Sequence, residues 1–240
     1  MENTVYSLAD FNVEIENTYG GIETFLKDYV TECENPDIEI SVDDNDIAFE
    51  NSSTDGEFKK PYLERLAVYR KFAEWLPMHN AFLMHGAVFE TNGVGTILCA
   101  PSGTGKTTHM LLWKELLKDK FTVINGDKPI IRLTNDKFFA YGTPWCGKEN
   151  LSQNKKTVLK NICFIKRSKT NFTETISKND AVDLIFKQIY MPKSSLGVMK
   201  TLELADKLIS VCNIYVINCN TDISAAKTAY SKIFKNGESI

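Results

Sequence analysis

The sequence predicts an α/β fold, in which strands alternate with helices along much of the chain. Residues 94–100 form an apolar, β-branched run that enters a glycine-rich turn, and a helical pattern follows over residues 105–118. Further apolar runs typical of strands are again separated from helical patterns by short polar segments. The chain has 240 residues, of which 43% are hydrophobic and 25% charged, so it has enough apolar material for a sizeable core.

Residues 1–60 are predicted to form a small α+β region. Residues 5–16 alternate between apolar and polar side chains, which indicates a strand, and residues 22–32 have a helical pattern. Residues 37–50 predict a hairpin with its turn at the acidic cluster that begins at Asp43, followed by a polar loop. We interpret the acidic cluster as a solvated turn, because it lacks the ligand pattern of an EF-hand.

Residues 61–240 are predicted to form a second, larger unit. It opens with an amphipathic helix over residues 61–76, with Pro61 in the first turn. Asn92 and Gly93 predict a tight hairpin turn between two strands. The remaining predicted elements are strands at 81–90, 94–100, 121–126, 129–134, 137–142, 160–166 and 213–219, and helices at 105–118, 178–190, 198–211 and 222–235.

The turn between strand and helix carries the strongest functional signal, Ser-Gly-Thr-Gly-Lys-Thr-Thr. It matches a phosphate-binding P-loop except that Ala100 occupies the position of the first glycine. Backbone N–H groups of such a turn form an anion nest, to which the helix adds the positive end of its dipole. Lys106 is expected to contact the β- and γ-phosphates and Thr107 to coordinate Mg²⁺. The predicted nucleotide-binding residues are Ser102, Gly103, Thr104, Gly105, Lys106, Thr107 and Thr108.

Two polar residues near strand ends are further candidates. Asp127 ends an apolar strand about 20 residues after Lys106. A carboxylate there either holds Mg²⁺ or takes a proton from an acceptor hydroxyl, and the alternative is an Asx turn between strands. His85 lies in the strand before the glycine-rich loop and is either a core residue or close to the phosphates. When protonated, it would stabilise phosphate charge or hydrogen-bond Asp127.

Three other residues have weaker signals. The loop over residues 141–150 is rich in Gly, Pro and polar residues, as binding loops often are. Its Lys148 and Glu149 are candidates for a phosphate contact and a second carboxylate near Mg²⁺, or they form a solvated pair at a surface turn. His109, in the first turn of the helix, either faces the nucleotide or packs in the core.

Charge and composition argue against several classes of partner. The formal net charge is −3, which does not favour nucleic acid, and no apolar run is long enough to predict a membrane span. The six cysteines contain no C-x-x-C pair and predict buried, reduced thiols. The first residues lack a signal-peptide core, so we expect a cytoplasmic protein. The few arginines leave Arg132 and Arg167 as candidates for clamping a phosphate.

Together these motifs resemble the HPr serine kinase/phosphorylase family, which is related to the nucleotide-binding part of phosphoenolpyruvate carboxykinase. The resemblance is most specific over residues 80–150 and implies a P-loop core with a mixed central sheet flanked by helices. Residues 1–60 would then be a small N-terminal α+β extension. The matching segments, in the family's order and with similar spacing, are His85-Gly-Ala, Gly93-Val-Gly-Thr-Ile-Leu, Ser102-Gly-Thr-Gly-Lys-Thr and Ile124-Asn-Gly-Asp127.

The resemblance implies a kinase that uses ATP and Mg²⁺ to phosphorylate a hydroxyl, that of a serine in a peptide, protein or small molecule. Lys106 would contact the phosphates, His85 would assist with charge and Asp127 would be the catalytic base. Thr107, Asp127 and Glu149 would be Mg²⁺ ligands. A homo-oligomer is compatible with the ring-like oligomers of the full-length family.

The chain departs from the family at the aspartate, and the departure keeps other functions open. Gly126-Asp127 stands where the family has an acidic pair, and Lys128 follows, which would lower the pKa of Asp127 by pairing with it. A nucleotide-binding sensor or partner module without transferase activity is therefore the alternative. A simple NTPase or nucleoside-type kinase is a third hypothesis. The absence of a recognisable arginine-rich lid in the sequence argues against it.

Overall fold

The computed structural model describes residues 3–101 and 103–234, which form two β-sheets with helices packed against them. The predicted α/β class is confirmed, and the larger sheet contains both parallel and antiparallel pairs. The last residue of the helix predicted at 222–235 lies outside the described residues. Within the described part, no helix is long and apolar enough to cross a membrane.

The smaller sheet has three strands near the N-terminus. β1 (Asn3–Leu8) and β2 (Phe11–Glu16) are antiparallel, and β3 (Ile38–Ile40) runs parallel to β2. The single strand predicted at residues 5–16 is therefore wrong, because Ala9 and Asp10 form a tight turn with φ of 56° and 60°. Non-glycine residues rarely adopt this left-handed conformation, so the pattern did not reveal the turn.

The helix predicted at residues 22–32 is shorter than expected. α1 (Glu23–Leu26) has a single turn and continues only as a 3₁₀ turn through Tyr29.

The hairpin predicted at residues 37–50 is also wrong, because α2 (Asp44–Ser52) replaces its second strand. The Asp43 side chain accepts a hydrogen bond from the backbone N–H of Asp46 at 2.9 Å, and the Asp46 side chain accepts one from the N–H of Asp43 at 3.2 Å. This reciprocal capping box satisfies helix donors that have no partner within the helix. Arg70 then fixes α2 through ion pairs with Asp46 at 2.8 Å and Glu50 at 2.5 Å.

α3 (Lys60–Trp75) connects this N-terminal region to the rest of the chain through a buried carboxylate. Glu64 is fully buried and accepts hydrogen bonds from the backbone N–H groups of Thr18, Tyr19 and Gly21 at 2.8, 2.8 and 2.7 Å. The same apolar core contains residues from both predicted units, among them Val13. The boundary predicted at residue 60 stays a prediction.

Replacing Glu64 by Ala is expected to lower the free energy of unfolding by about 3 kcal/mol, because it leaves three backbone donors in or near the core without their acceptor. Chemical denaturation measures this change. The control is Glu64→Gln, which keeps one carbonyl oxygen and should lose less stability. A loss below about 1 kcal/mol in Glu64→Ala would contradict the structural role of this carboxylate.

The larger sheet of the described residues has nine strands. They are β4 (Ala81–Leu83), β5 (Ala87–Thr91), β6 (Val94–Cys99), β7 (Thr122–Asn125), β8 (Ile130–Thr134), β9 (Lys137–Tyr141), β10 (Lys156–Arg167), β11 (Phe172–Thr175) and β12 (Asn213–Cys219). Along the sheet the order is β4-β8-β9-β10-β6-β5-β7, and β12 pairs with β10 and with β11. The longest strand, β10, joins the two parts of the sheet, because its first residues pair antiparallel with β9 and later residues pair parallel with β6 and β12.

Two details of this sheet differ from the predictions. The strand predicted at 81–90 is interrupted at Gly86, where a Cβ atom would lie 2.6 Å from the side chain of Ile97, so a side chain does not fit without movement. The sequence pattern does not predict the strand β11. The hairpin turn at Asn92 and Gly93 is confirmed, with φ of 52° and 71° between β5 and β6.

Four helices cover the two faces of this sheet: α4 (Lys106–Leu117), α5 (Lys178–Phe186), α6 (Ser195–Val211) and α7 (Ile223–Ile233). Trp113 and Tyr230, from α4 and α7, share a core with Leu98 and Ile217 of the sheet. Residues of α5 and α6 share a core with the opposite sheet face.

The parallel strands β6, β10 and β12 end at the same edge of the sheet. Ligands usually bind at the carboxyl ends of such strands in α/β sheets.

Candidate functional site

A glycine-rich loop connects the carboxyl end of β6 to the first residue of α4, Lys106. Gly103 has a φ of 74° and Gly105 a φ of 118°, a region that residues with a side chain rarely adopt. The strand, loop and helix predicted here are observed. Ser102, a predicted nucleotide-binding residue, lies outside the described residues. The two glycines therefore have the positive φ angles that a phosphate-binding loop needs.

A cavity of about 460 Å³ opens beside this loop, and we call it the loop cavity. Its walls include all three predicted catalytic residues, Asp127, His85 and Lys106. Thr104 lines neighbouring cavities instead. The residues around the loop cavity are His85, Gly103, Gly105, Lys106, Thr107, Thr108, Gly126, Asp127, Gly147, Lys148 and Glu149.

The imidazole of His85 lies between a lysine and an aspartate. Its Nε2 is 3.1 Å from Oδ1 of Asp127 and 2.9 Å from Nζ of Lys106. One ring nitrogen cannot donate to the carboxylate and accept from the ammonium at the same time, so the two contacts compete. Lys106 also donates to the carbonyl oxygen of Ala100 at 3.2 Å. The proton on Nε2 therefore decides which neighbour His85 binds.

Burial and nearby charges shift the pKa values of Asp127 and Lys106 in the loop cavity. Burial alone would raise the pKa of Asp127, but the hydrogen bond from His85 and the charges of Lys128 and Lys106 outweigh it and lower that pKa. Burial lowers the pKa of Lys106, and the nearby Asp127 and Glu149 only partly offset this effect. Asp127 is therefore an ionised carboxylate at neutral pH.

The backbone around Asp127 is held by a buried asparagine for which the sequence analysis proposed no role. Oδ1 of Asn125 accepts hydrogen bonds from the N–H groups of Asp127 at 2.9 Å and Lys128 at 2.7 Å. Its Nδ2 donates to both oxygens of Thr143 at 3.0 Å. The Asx turn thus belongs to Asn125 rather than to Asp127. An asparagine directly before Gly-Asp at a strand end was the sequence signal for it.

His85 is held beside Asp127 by backbone pairing of its own segment. The N–H of His85 donates to the carbonyl of Gln188 at 2.6 Å, and the N–H of Gly86 donates to the carbonyl of Asp127 at 2.8 Å. The break between β4 and β5 therefore places the imidazole at the edge of the loop cavity, rather than in the core.

The two candidate arginines lie in different places. Arg132 donates to the carbonyl of Ala9 at 2.6 Å and lies 3.6 Å from the centre of the Phe11 ring, within the N-terminal core. Arg167 donates to the carbonyls of Gly103 at 2.5 Å and Thr104 at 3.2 Å. The guanidinium beside the glycine-rich loop is therefore that of Arg167.

Lys128 contacts an aromatic ring, whereas Lys148 and Glu149 line the loop cavity. The ammonium of Lys128 lies 4.9 Å from the centre of the Tyr69 ring, a cation–π contact. Lys148 and Glu149 are exposed but line the loop cavity, so both remain candidates.

The side chains around the loop cavity include oxygen donors that suit a metal ion bound together with a ligand. Among the described residues, no group of three or more His, Cys, Asp and Glu side chains is arranged to hold a metal by itself. The loop cavity offers the carboxylates of Asp127 and Glu149 and the hydroxyl of Thr107. Mg²⁺ is commonly held by one or two carboxylates together with substrate phosphates, so this donor set fits Mg²⁺ that arrives with a nucleotide.

His109 of α4 is buried and hydrogen-bonded to a neighbour on the same helix. Its Nδ1 accepts a hydrogen bond from Nε1 of Trp113 at 2.9 Å, which places the ring proton on Nε2. Burial lowers the pKa of His109 to about 4. The ring is therefore neutral in the folded protein at neutral pH.

The low pKa of His109 predicts that stability falls in mild acid. Between pH 6.5 and pH 4 the unfolded chain binds a proton at this histidine and the folded chain does not, so acid favours unfolding. The expected loss is about 3 kcal/mol, which chemical denaturation at several pH values measures. The control His109→Gln removes this titrating group, so its free energy of unfolding should fall less steeply as the pH is lowered. The same dependence of the free energy of unfolding on pH in both proteins would contradict the prediction.

Among solved structures, the chain has a distant likeness to a known protein. No family model matches the chain, and no curated protein matches it. The solved structure of the Hpr(Ser) kinase/phosphatase from Coxiella burnetii is similar over 64% of this chain and 97% of its own, with 9% identity and a TM-score of 0.36. A likeness at this level does not establish a shared function.

Proposed function

We propose that the protein is a kinase that binds ATP with Mg²⁺ in the loop cavity and transfers the terminal phosphate to a hydroxyl. The acceptor class we propose is a serine hydroxyl in a peptide, a protein or a small molecule. The observation that carries this proposal is that Lys106, His85 and Asp127 meet in one cavity beside a glycine-rich loop. A phosphate site, a base and a charge-assisting group are the parts that phosphoryl transfer needs.

In the proposed nucleotide complex, Lys106 moves its contact from His85 to the β- and γ-phosphates. His85 then has one remaining neighbour at hydrogen-bond distance, the carboxylate of Asp127, and donates its Nε2 proton to it. Because the phosphates bind the ammonium of Lys106, the lysine no longer competes with Asp127 for Nε2 of His85. The result is a base whose orientation is fixed by both His85 and the Asn125 turn.

In the transfer step, the acceptor oxygen bonds to the γ-phosphorus while the bond from that phosphorus to the β,γ-bridging oxygen breaks. Asp127 takes the proton of the acceptor hydroxyl, and the leaving group is ADP. Thr107, Asp127 and Glu149 would hold Mg²⁺, which neutralises phosphate charge when bound. Lys106 stabilises the charge that develops on the phosphate oxygens.

The sensor alternative rested in part on an ion pair between Lys128 and Asp127. Lys128 instead faces Tyr69, although its charge still contributes to lowering the pKa of Asp127. A loss of basicity through direct pairing therefore has no support from the described contacts. We retain the sensor as the outcome that a failed transfer reaction would favour.

The test is mass spectrometry of candidate acceptors after incubation with the protein, ATP and Mg²⁺. The acceptors are free serine, short serine peptides and HPr, and the control is Asp127→Asn. A mass gain of one phosphate on one acceptor, absent with the control, would support the kinase. Tight ATP binding with no transfer and no ADP formation would instead favour the sensor.

A further inference from the structure

A second cavity, of about 380 Å³, lies on the other side of the glycine-rich loop, and we call it the side cavity. It shares Gly103, Gly105 and Thr108 with the loop cavity. Its other walls come from α4 and from the carboxyl ends of β10 and β12 with the residues that follow them. In the sheet, β10 and β12 lie on the side of β6 opposite β5 and β7, and β7 leads to Asp127. The two cavities therefore flank the loop on opposite sides.

One wall of the side cavity contains a buried hydrogen-bond donor without a partner. His109 lines this cavity and is 2% exposed, and Nε2 has no hydrogen-bond partner within the described part of the chain. Because Nδ1 accepts from the indole of Trp113, Nε2 must carry the proton. Buried donors are almost always paired in folded proteins, so this one calls for an acceptor from a ligand or from water.

The loop after β12 provides a second oriented donor. Oδ1 of Asn220 accepts from the N–H of Asp222 at 3.0 Å and from Nδ2 of Asn171 at 3.1 Å. These two bonds use the oxygen and fix the amide plane. Asn220 is exposed and lines the side cavity, and its Nδ2 donates to no group in residues 3–101 or 103–234, so it is free to donate to a ligand there.

Apart from glycines and the hydroxyl side chains of threonines and Ser168, the rest of the side cavity has two apolar side chains and one guanidinium. Ile165 and Cys219, both buried, contribute apolar surface from the ends of β10 and β12. Arg167 is held against the glycine-rich loop by its bonds to Gly103 and Thr104, so its planar guanidinium is fixed at the rim. Apolar surface, a fixed guanidinium plane and separate N–H donors suit a flat heteroaromatic ring with acceptor nitrogens and an attached sugar.

We infer that the side cavity binds the base and ribose of the nucleotide whose phosphates occupy the loop cavity. This inference rests on the proposed function, because it assumes that a nucleoside triphosphate is the ligand. The polyphosphate passes over the shared residues Gly103, Gly105 and Thr108. His109 and Asn220 donate to acceptor atoms of the nucleoside, and Arg167 stacks against the base.

The experiment compares Mg²⁺–ATP with Mg²⁺–tripolyphosphate, which has the phosphates but no nucleoside, by calorimetry. Wild-type protein is expected to bind ATP at least about 10-fold more tightly than tripolyphosphate. Thr221→Trp, which fills the side cavity from an exposed position, should weaken ATP at least about 10-fold and change tripolyphosphate less than about 2-fold. The matched control is Thr221→Ser, which should bind both ligands as wild type does.

A second readout does not depend on a folded variant. With ¹⁵N-labelled histidine, the Nε2 resonance of His109 should shift when ATP binds and stay in place with tripolyphosphate. Equal affinities of wild type for the two ligands, or an equal loss of both in Thr221→Trp, would overturn the inference and leave the phosphate site intact. If neither ligand binds wild type, the proposed function fails together with it.

Discussion

Replacing Asp127 by Asn is expected to reduce kcat by at least about 100-fold, the range for loss of a general base, while ATP affinity changes little. The amide has nearly the same shape as the carboxylate but cannot take the acceptor proton. Initial rates of phosphate transfer to the acceptor measure kcat, and calorimetry with Mg²⁺–ATP measures the affinity separately. The pair of measurements distinguishes a lost chemical step from lost binding.

Two further variants test whether this effect is specific to Asp127. Glu149→Gln changes an exposed carboxylate of the same cavity and should reduce kcat less than Asp127→Asn does. Asn125→Ala keeps the carboxylate but removes the acceptor for the N–H groups of Asp127 and Lys128. Phosphate transfer by Asp127→Asn at the wild-type rate would show that this residue is not the base.

Replacing Lys106 by Met is expected to weaken the affinity for Mg²⁺–ATP about 100-fold, because hydrogen bonds to charged groups contribute about 1.5–3 kcal/mol. Methionine keeps most of the apolar stem and removes the ammonium, so the loop should keep its conformation. Calorimetry measures the change in Kd, and circular dichroism checks that the variant is folded.

Lys148→Met is the matched control for Lys106→Met. Lys148 is also a candidate for a phosphate contact, but it is exposed and solvent screens its charge, so its removal should weaken ATP binding far less than Lys106→Met does. An unchanged ATP affinity in Lys106→Met would contradict the assignment of the loop cavity as the phosphate site.

Local sequence patterns predicted the parts of the fold that local physics decides. The strand, glycine-rich loop and α4 follow from apolar periodicity and from two glycines with positive φ. The same is true of the turn at Asn92 and Gly93. α2 shows the limit, because a capping box at Asp43 stabilises a helix where alternating residues suggested a strand. Two local signals then disagree, and the contacts of Arg70 with α2 come from outside the segment.

The candidate site could be predicted in its residue types but not in its contacts. His85 and Asp127 were expected near the phosphates, and a hydrogen bond between them was one of the stated options. That Lys106 contacts the same ring nitrogen depends on two separate segments of the chain. The turn by which Asn125 orients the aspartate is local, and the sequence contained a signal for it. The choice between Arg132 and Arg167 likewise required the tertiary structure, since the backbone carbonyls that each guanidinium contacts lie far away in the sequence.

The position of β10 between the two parts of the sheet has a consequence for how the chain folds. Residue Ile162 pairs with Ile97 on one side and with Ile214 on the other, so the parallel partners are separated by long stretches of chain. Closing such loops costs conformational entropy before the paired strands gain any favourable contacts, so these contacts form slowly. We therefore expect the edge that presents the glycine-rich loop to be completed late in folding, after the local hairpin of β5 and β6.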